Sequence, residues 1–192
     1  MEIVNVKGEV RTDLGTKWAK QVRNEGLIPC VLYGADANVA FTVDPHDVKT
    51  LVYTADFKLA QVEVDGNSYK CLLKEVQLDR VSDEVIHLDF LKLTPGHKIK
   101  INVPLATRGI SPGVKLGGKL VTKMRNISVK VFPENIISEV TVDVSGLDLG
   151  QTVRVRDIDA IDGVEILNAP SIPIVTVAIP RALRSATAAK TE

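Results

Sequence analysis

Aromatic residues, cysteine and histidine are scarce in this sequence, and it has no long apolar run. Only eight aromatic residues, two cysteines and three histidines occur among its 192 residues. Cys30 and Cys71 both lie in apolar, β-branched sequence, which favours two buried free thiols over a disulfide or a metal site. No apolar stretch approaches the ~20 residues that cross a bilayer, and the first residues do not form a secretory signal. We therefore expect a cytoplasmic protein without membrane contact.

Valine and isoleucine are abundant instead, with 27 and 15 occurrences. Their branched side chains suit a pleated, half-buried surface, so the composition predicts a mainly β protein. Pro95 and Gly96 form a turn signal between two sets of alternating apolar residues. We expect one domain at residues 1–93, a second mostly β domain at 98–180, and a flexible tail at 181–192, where periodicity is lost.

The 24 basic and 24 acidic residues cancel, but they are unevenly distributed. Residues 1–92 hold 11 basic and 15 acidic residues, whereas residues 93–192 hold 13 and 9. Within the acidic half, four cations and one acid lie between Arg11 and Arg23. Such a concentration is typical of a phosphate-binding surface. From charge alone, an ordinary solvated helix face is the more common explanation.

The pattern around this basic segment predicts a short helix with Thr16 as N-cap and Gly26 as the C′ residue. At 100° per residue, Trp18 and Val22 point inward, and Arg23 flanks the polar face. That polar face collects Lys17, Lys20, Gln21 and Asn24. Strands are predicted near residues 3–10, 28–33 and 39–43. A second helix is predicted after Asp44 and Pro45, and a hairpin around Asp65 and Gly66.

The strand that follows this hairpin changes phase. Its apolar residues are odd-numbered up to Leu73 and even-numbered from Val76, which predicts a bulge between Leu72 and Lys74. In the next strand Ile86, Leu88 and Phe90 face inward. When these two strands pair so that the apolar residues of both face the same core, Gln77 lies opposite His87. Gln77, His87 and Asp89 then form a polar cluster on the outer face of the sheet.

This cluster has three interpretations. A His–Asp pair can act as an oriented general base, but no activated nucleophile accompanies it. Metal binding is poorly supported because His46 and His97 lie elsewhere in the sequence. A structural pair at a strand end is more common than catalysis. Recognition of base edges or ribose hydroxyls by the three polar side chains remains open.

Several segments, taken in order, resemble the bacterial ribosomal protein L twenty-five family in its two-domain form, also called the Ctc or general stress protein family. The resemblance covers residues 1–92 and continues through 98–180. It implies an N-terminal six-stranded antiparallel β-barrel with short helices that binds 5S ribosomal RNA at its loop E. It also implies a mostly β second domain in the large ribosomal subunit, without enzymatic activity. The segments include Arg11 with Gly15, residues 26–29, Tyr33-Gly34, residues 75–77, residues 87–90 and residues 113–118.

The resemblance also implies the RNA-binding residues. Those that would meet the phosphate–sugar backbone are Arg11, Lys20, Arg23 and Tyr33, with Gly15 and Lys17 beside them. Gln77, His87 and Asp89 would reach the shallow minor groove. The chain departs from the family at Thr16, where lysine is usual, at Gln21, where the family often has a second basic residue, and at residues 78–80, where His-Pro is replaced. These departures predict weaker phosphate contact and an Asp79 that avoids the RNA.

Residues 113–119 satisfy most of a Gly-x-x-x-x-Gly-Lys phosphate loop. Leu120 replaces the Ser or Thr that would hold magnesium, and the following sequence is strand-like. We therefore expect a glycine-rich turn rather than a nucleotide site, and no cofactor or metal. The expected partners are 5S ribosomal RNA and the large subunit, including neighbouring ribosomal proteins, with a monomer when free. Two alternatives are a hydrolase using His87 and Asp89, and a stress-related protein-interaction module acting off the ribosome.

Overall fold

A computed structural model of the chain describes residues 2–34 and 38–180. The chain divides into two compact units, of which the first ends at His97 and the second begins at Lys98. The tail predicted at residues 181–192 lies outside the described residues. None of the described helices is both long and apolar enough to span a membrane.

The first unit is a closed barrel of six strands with two short helices on it. The strand order around the barrel is β1-β3-β2-β6-β5-β4. The strands are β1 (Ile3–Val10), β2 (Ile28–Tyr33), β3 (Asn38–Val43), β4 (Leu59–Val64), β5 (Asn67–Leu78) and β6 (Val85–Lys92). The helices are α1 (Thr16–Asn24) and α2 (Pro45–Val52). The predicted six-stranded barrel with short helices is confirmed.

The barrel is not wholly antiparallel, however, because β1 pairs with β4 and β2 pairs with β6 in parallel. Strands that follow each other closely in sequence, such as β2–β3 and β4–β5, are antiparallel. The two parallel pairs join strands that are distant in sequence. Helices α1 and α2 carry the chain across between strands, which parallel neighbours require and a tight hairpin cannot provide.

The barrel core is filled by inward-facing side chains from all six strands. The rings of Phe41 and Phe90 lie at its centre with 5.8 Å between their centroids. Cys30 and Cys71 are fully buried free thiols, as predicted. Because successive residues of a strand alternate sides, the intervening residues of each strand form a continuous outer surface.

Helix α1 begins and ends through glycine. The N-cap residue is Gly15, with φ 105°, and no side chain caps the helix, so the prediction of Thr16 as N-cap is wrong. Gly26, with φ 81°, donates to Arg23 O, and the next N–H donates to Val22 O, so Gly26 is the C′ residue as predicted. No residue of α1 is fully buried. Only Ala19 and Val22 turn toward the barrel, while Trp18 remains 39% exposed, contrary to the prediction that it points inward.

Two other local predictions in the first unit hold. Asp44 caps α2 by accepting a hydrogen bond of 2.8 Å from His46 N, with Pro45 at the first helical position. Asp65 and Gly66 form the β4–β5 turn with φ 49° and 76°. Two positive φ angles match a type I′ hairpin turn, whose twist suits the flanking strands.

The second unit consists of two small sheets. Its strands are β7 (Ile99–Arg108), β8 (Lys119–Thr122), β9 (Asn126–Val131), β10 (Val140–Asp143), β11 (Thr152–Arg154), β12 (Val164–Ile166) and β13 (Pro173–Ala178), with the one-turn helix α3 (Pro112–Lys115). One sheet has the order β10-β7-β9-β12 and the other β11-β13-β8. The second domain is mostly β, as predicted.

The glycine-rich segment of the second unit is a turn and not a phosphate loop. It contains α3, and Lys119 begins strand β8 where a nucleotide cradle would need a helix. Ser111 anchors the turn, since its buried hydroxyl donates to Leu147 O. A 3₁₀ turn at residues 133–135 precedes strand β10, which begins at Val140.

The buried thiols provide a test of the barrel. Burial raises the pKa of Cys71 to about 12 and raises the pKa of Cys30 further, against a smaller lowering by Arg11. Since the thiolate is the nucleophile, we expect neither cysteine to react with Ellman's reagent at mildly alkaline pH in the folded protein. Both should react in denaturant. A Ser68→Cys variant, at an exposed position of β5, provides the reactive control. Rapid reaction of two thiols in the native wild type would contradict the buried core.

Candidate nucleic-acid interface

The polar cluster on the outer face of the barrel is set by two irregularities in the β5–β6 pair. The register shifts between Leu73 and Glu75, as the change of phase predicts, so Lys74 is the extra residue. Beyond it Glu75 lies opposite Asp89, and Gln77 lies opposite His87. The predicted Gln77–His87 pair is therefore confirmed. The bulge turns the second half of β5 so that its polar side chains face outward while Val76 takes the inward side.

The second irregularity lies at the end of this ladder, where Leu78 pairs with Val85 instead of Ile86. The hairpin closes through Asp79 N donating to Glu84 O at 2.8 Å. Ile86 is the extra residue here. A bulged residue lacks a ladder partner, so its carbonyl is open to another donor.

Arg23 of α1 uses this open carbonyl. Its Nε donates to Ile86 O at 3.0 Å, across 63 residues of sequence. The Nε–H is only one of five donors on a guanidinium, so the terminal nitrogens remain for other acceptors. The contact places the basic helix immediately beside His87, which follows Ile86 in β6.

His87 and Asp89 form an oriented pair, with 2.8 Å between Nδ1 and Asp89 Oδ1. Both side chains are partly exposed, at 22% and 28%. When Nδ1–H donates to the carboxylate, Nε2 of the neutral imidazole is an acceptor. The second carboxylate oxygen of Asp89 and the amide of Gln77 are also available. The cluster therefore offers mainly acceptors.

Arg11 lies in the same cross-barrel row as Asp89. Its N–H donates to Ala40 O at 2.9 Å, Ala40 pairs with Val31, and Val31 pairs with Asp89. Nε and Nη1 of Arg11 are buried and have no hydrogen-bond partner within the described part of the chain. Buried donors without acceptors are costly, which is unusual in a finished fold and common where a ligand completes it.

Tyr33 completes this surface from β2. Its pKa is raised, first by partial burial and then by the negative charges of Asp89 and Glu75. These causes place the phenol near both carboxylates. Glu75 was not among the predicted site residues, although it faces the same side of β5 as Gln77 and lies directly opposite Asp89. Two carboxylates facing each other destabilise a sheet, so their pairing indicates a role other than stability.

The remaining predicted residues lie on α1. Lys17 and Lys20 are exposed on its outer face, and Gly15 provides the turn into the helix. Lys17 Nζ lies 5.9 Å from the centroid of the Trp18 ring. The fold thus joins Arg23 to the polar cluster through Ile86, while Lys17 and Lys20 extend the positive charge away from it.

The carboxylate of Asp79 is hydrogen-bonded within the loop that Asp79 begins. Its carboxylate accepts from Val81 N at 2.9 Å and from Ser82 N at 3.1 Å. These backbone hydrogen bonds hold its pKa below the usual value. Among residues 2–34 and 38–180, no group of three or more His, Cys, Asp or Glu residues could hold a metal ion.

The titration of Tyr33 tests the geometry of this surface without any ligand. In a Tyr53→Phe, Tyr69→Phe background Tyr33 is the only tyrosine. Asp89→Asn or Glu75→Gln should lower its pKa toward the ordinary value, because a neighbouring anion disfavours the tyrosinate. Ultraviolet absorbance against pH measures the shift. Glu139→Gln, in the second unit, is the control that should leave it unchanged. Equal titration midpoints of Tyr33 in all variants would show that neither carboxylate interacts with its phenol.

Comparison with known proteins gives a consistent result over both units. The model of the Ribosomal L25p family matches residues 6–90, and that of the C-terminal domain of ribosomal protein TL5 matches residues 98–181. Similar curated proteins include large ribosomal subunit proteins bL25 of Cytophaga hutchinsonii, 38% identical over 98% of both chains, and of Bacteroides fragilis, 37% identical over 98% of both. That of Porphyromonas gingivalis is 37% identical over 99% of this chain and its own full length.

These matches decide between the interpretations of the His87–Asp89 pair. A relationship over nearly the full length of both chains covers the barrel and the second unit together. Members of this family are structural parts of the ribosome, so the hydrolase alternative is excluded, and the protein is a cytoplasmic component of the large subunit, as the sequence predicts. The buried positions of Cys30 and Cys71 agree, since neither thiol lies on the surface beside the pair. This chain belongs to the ribosomal L25p family of large-subunit ribosomal proteins.

Proposed function

We propose that the first unit binds 5S ribosomal RNA in its loop E region, through the outer face of β5 and β6 together with α1. The observation that carries this proposal is the hydrogen bond from Arg23 to the bulged Ile86 carbonyl. It joins a cationic helix to a surface of hydrogen-bond acceptors. These two parts correspond to the two kinds of contact that position and read a nucleic acid.

The acceptors suit the minor groove of RNA. That groove is wide and shallow, and it displays two donors, the ribose 2′-hydroxyl and the exocyclic amine of guanine. Nε2 of His87 and the free oxygen of Asp89 are placed to accept from such groups. Negative carboxylates would be repelled by phosphates, so this part of the surface fits the groove and not the backbone.

The phosphates are met by the cations beside it. Arg23 lies beside the acceptor surface, and Lys17 and Lys20 carry the positive charge farther along α1. Nε and Nη1 of Arg11 have no hydrogen-bond acceptor within the described residues. A phosphate or base oxygen would supply one. The barrel itself carries an excess of acidic residues, so only this side of it can approach a polyanion.

Truncation of Arg23 or of His87 to alanine tests the proposal. Arg23→Ala should reduce the slope of log affinity against log salt by roughly 0.7–0.9, the value for one neutralised phosphate. His87→Ala should weaken binding about five- to a hundredfold with little change in slope, because it leaves an RNA donor unpaired. Filter binding or calorimetry with a loop E hairpin measures both.

Matched controls lie on the other helix of the barrel. Lys49→Ala and His46→Ala remove the same kinds of side chain from exposed positions on α2 and should leave affinity and slope unchanged. Thermal melting verifies that each variant folds. Wild-type affinity for both Arg23→Ala and His87→Ala would remove these residues from the interface. Chemical footprinting of intact 5S RNA should show protection confined to loop E, and protection elsewhere would contradict the proposed target.

A further inference from the structure

The second unit separates its charges along the chain. Residues 98–133 contain eight cations and no aspartate or glutamate, whereas residues 134–180 contain eight acidic residues and two arginines. Folding can bring the two segments together so that cations of the first lie beside carboxylates of the second. The structure places carboxylates beside some of these cations and not beside others.

Four of the cations lie on the sheet that contains β7, close to carboxylates or to each other. Lys98 Nζ is 3.7 Å from Glu165 Oε2, and Lys130 is the cross-strand partner of Glu165. Arg108 pairs in register with Asp143. Lys100 lies directly opposite Lys130. We call these four residues the sheet cations: Lys98, Lys100, Arg108 and Lys130.

The other four cations lie along one continuous stretch, from α3 through the edge strand β8 to the turn before β9. All four side chains are exposed, and none forms an ion pair within the part of the chain that the structure describes. Strand β8 has a neighbour on one side only, in the order β11-β13-β8. We call this surface the basic edge: Lys115, Lys119, Lys123 and Arg125.

The backbone holds the basic edge in place. Lys123 N donates to Ile174 O at 2.7 Å, and Leu105 N donates to Arg125 O at 2.8 Å, so the turn is fastened to both sheets of this unit. Lys119 begins β8 and Lys123 directly follows its end, so at ~3.3 Å per extended residue their Cα atoms are at most ~13 Å apart.

We propose that the basic edge binds the phosphate backbone of ribosomal RNA in the large subunit. A run of positive charge without an aspartate or glutamate favours contact with phosphates over readout of bases. Three of the four side chains are lysines, which act as mobile point charges and not as forks for base edges. The proposal rests on membership in the ribosomal family and not on 5S RNA binding by the barrel.

A protein partner is the competing occupant, because the same segment exposes Ile110 and Leu116, at 68% and 62%. An apolar contact would make Leu116 a main contributor to binding and would depend little on salt. An RNA backbone contact would depend on the four cations and would have a steep salt dependence. The two occupants therefore predict different variants and different slopes.

The experiment uses the full chain and large ribosomal subunits prepared without this protein. Retention on the subunits is measured by sedimentation across a range of salt concentrations. The basic-edge variant changes Lys115, Lys119, Lys123 and Arg125 to Gln. The control variant changes Lys98, Lys100, Arg108 and Lys130 to Gln, so both lose the same charge. Circular dichroism melts establish that both fold.

The basic-edge variant should lower the slope of log retention constant against log salt by roughly 3, given 0.7–0.9 for each phosphate contact. The control variant should change the slope by less than about a third of that amount. Equal slopes for the two variants would overturn the proposal. Loss of retention with Leu116→Ala, together with an unchanged slope in the basic-edge variant, would overturn it in favour of a protein partner.

Binding to the isolated loop E hairpin separates this proposal from the function proposed for the barrel. The basic-edge variant should bind the hairpin like the wild type, since its substitutions lie outside the first unit. Failure of the wild type to bind the hairpin would refute the barrel's proposed target. It would leave the comparison of slopes on large subunits intact.

Discussion

The interface on the barrel depends on the β-bulge at Lys74. One extra residue in β5 reverses which side chains face the core, so Leu73 and Val76 can both point inward on the same strand. A strand without the bulge would bury either the apolar residues of its first half or those of its second half, but not both. The arrangement of Glu75, Gln77, His87 and Asp89 on one surface is a direct result. A second bulge, at Ile86, then provides the carbonyl to which α1 is tied. Two irregularities in one hairpin thus position both parts of the site.

Much of this could be predicted from the sequence because it is local or periodic. Strand parity alone predicted the bulge and the Gln77–His87 pair, and turn chemistry predicted the caps at Asp44 and Gly26. The parallel pairs could not be predicted in this way, since they join strands whose directions depend on the whole path of the chain. The Arg23–Ile86 bond was missed for a similar reason, because its acceptor becomes free only through a register shift. Trp18 shows the limit of periodicity: nine residues of helix resting on one strand turn only Ala19 and Val22 inward.

Two arrangements on the barrel surface are unfavourable for folding, which is consistent with a ligand-binding role. Glu75 and Asp89 face each other with like charge, and Arg11 holds two buried donors without acceptors. Neither arrangement contributes to folding, and each would be improved by a simple substitution if stability alone mattered. In contrast, Asp79 is bonded within its own loop, which keeps its negative charge engaged beside the cluster. The second unit shows a related contrast between cations that lie beside carboxylates, such as Lys98, and the four exposed cations of the basic edge, which form no ion pair within the described residues. In both units, groups that have no partner within the described residues are the ones assigned to the proposed contacts with a polyanion.

Closure of the barrel by parallel pairing has a consequence for assembly. Arg11 and Asp89 are separated by 78 positions in sequence and share a row only through the β1–β3, β3–β2 and β2–β6 ladders. No hairpin or isolated segment of the chain can present that row, so a partly folded molecule has no partial version of the site. A ligand that binds only the complete barrel stabilises it by mass action and does not bind incomplete forms. On the proposed interface, an RNA that contacts the whole row would bind only molecules whose barrel has closed.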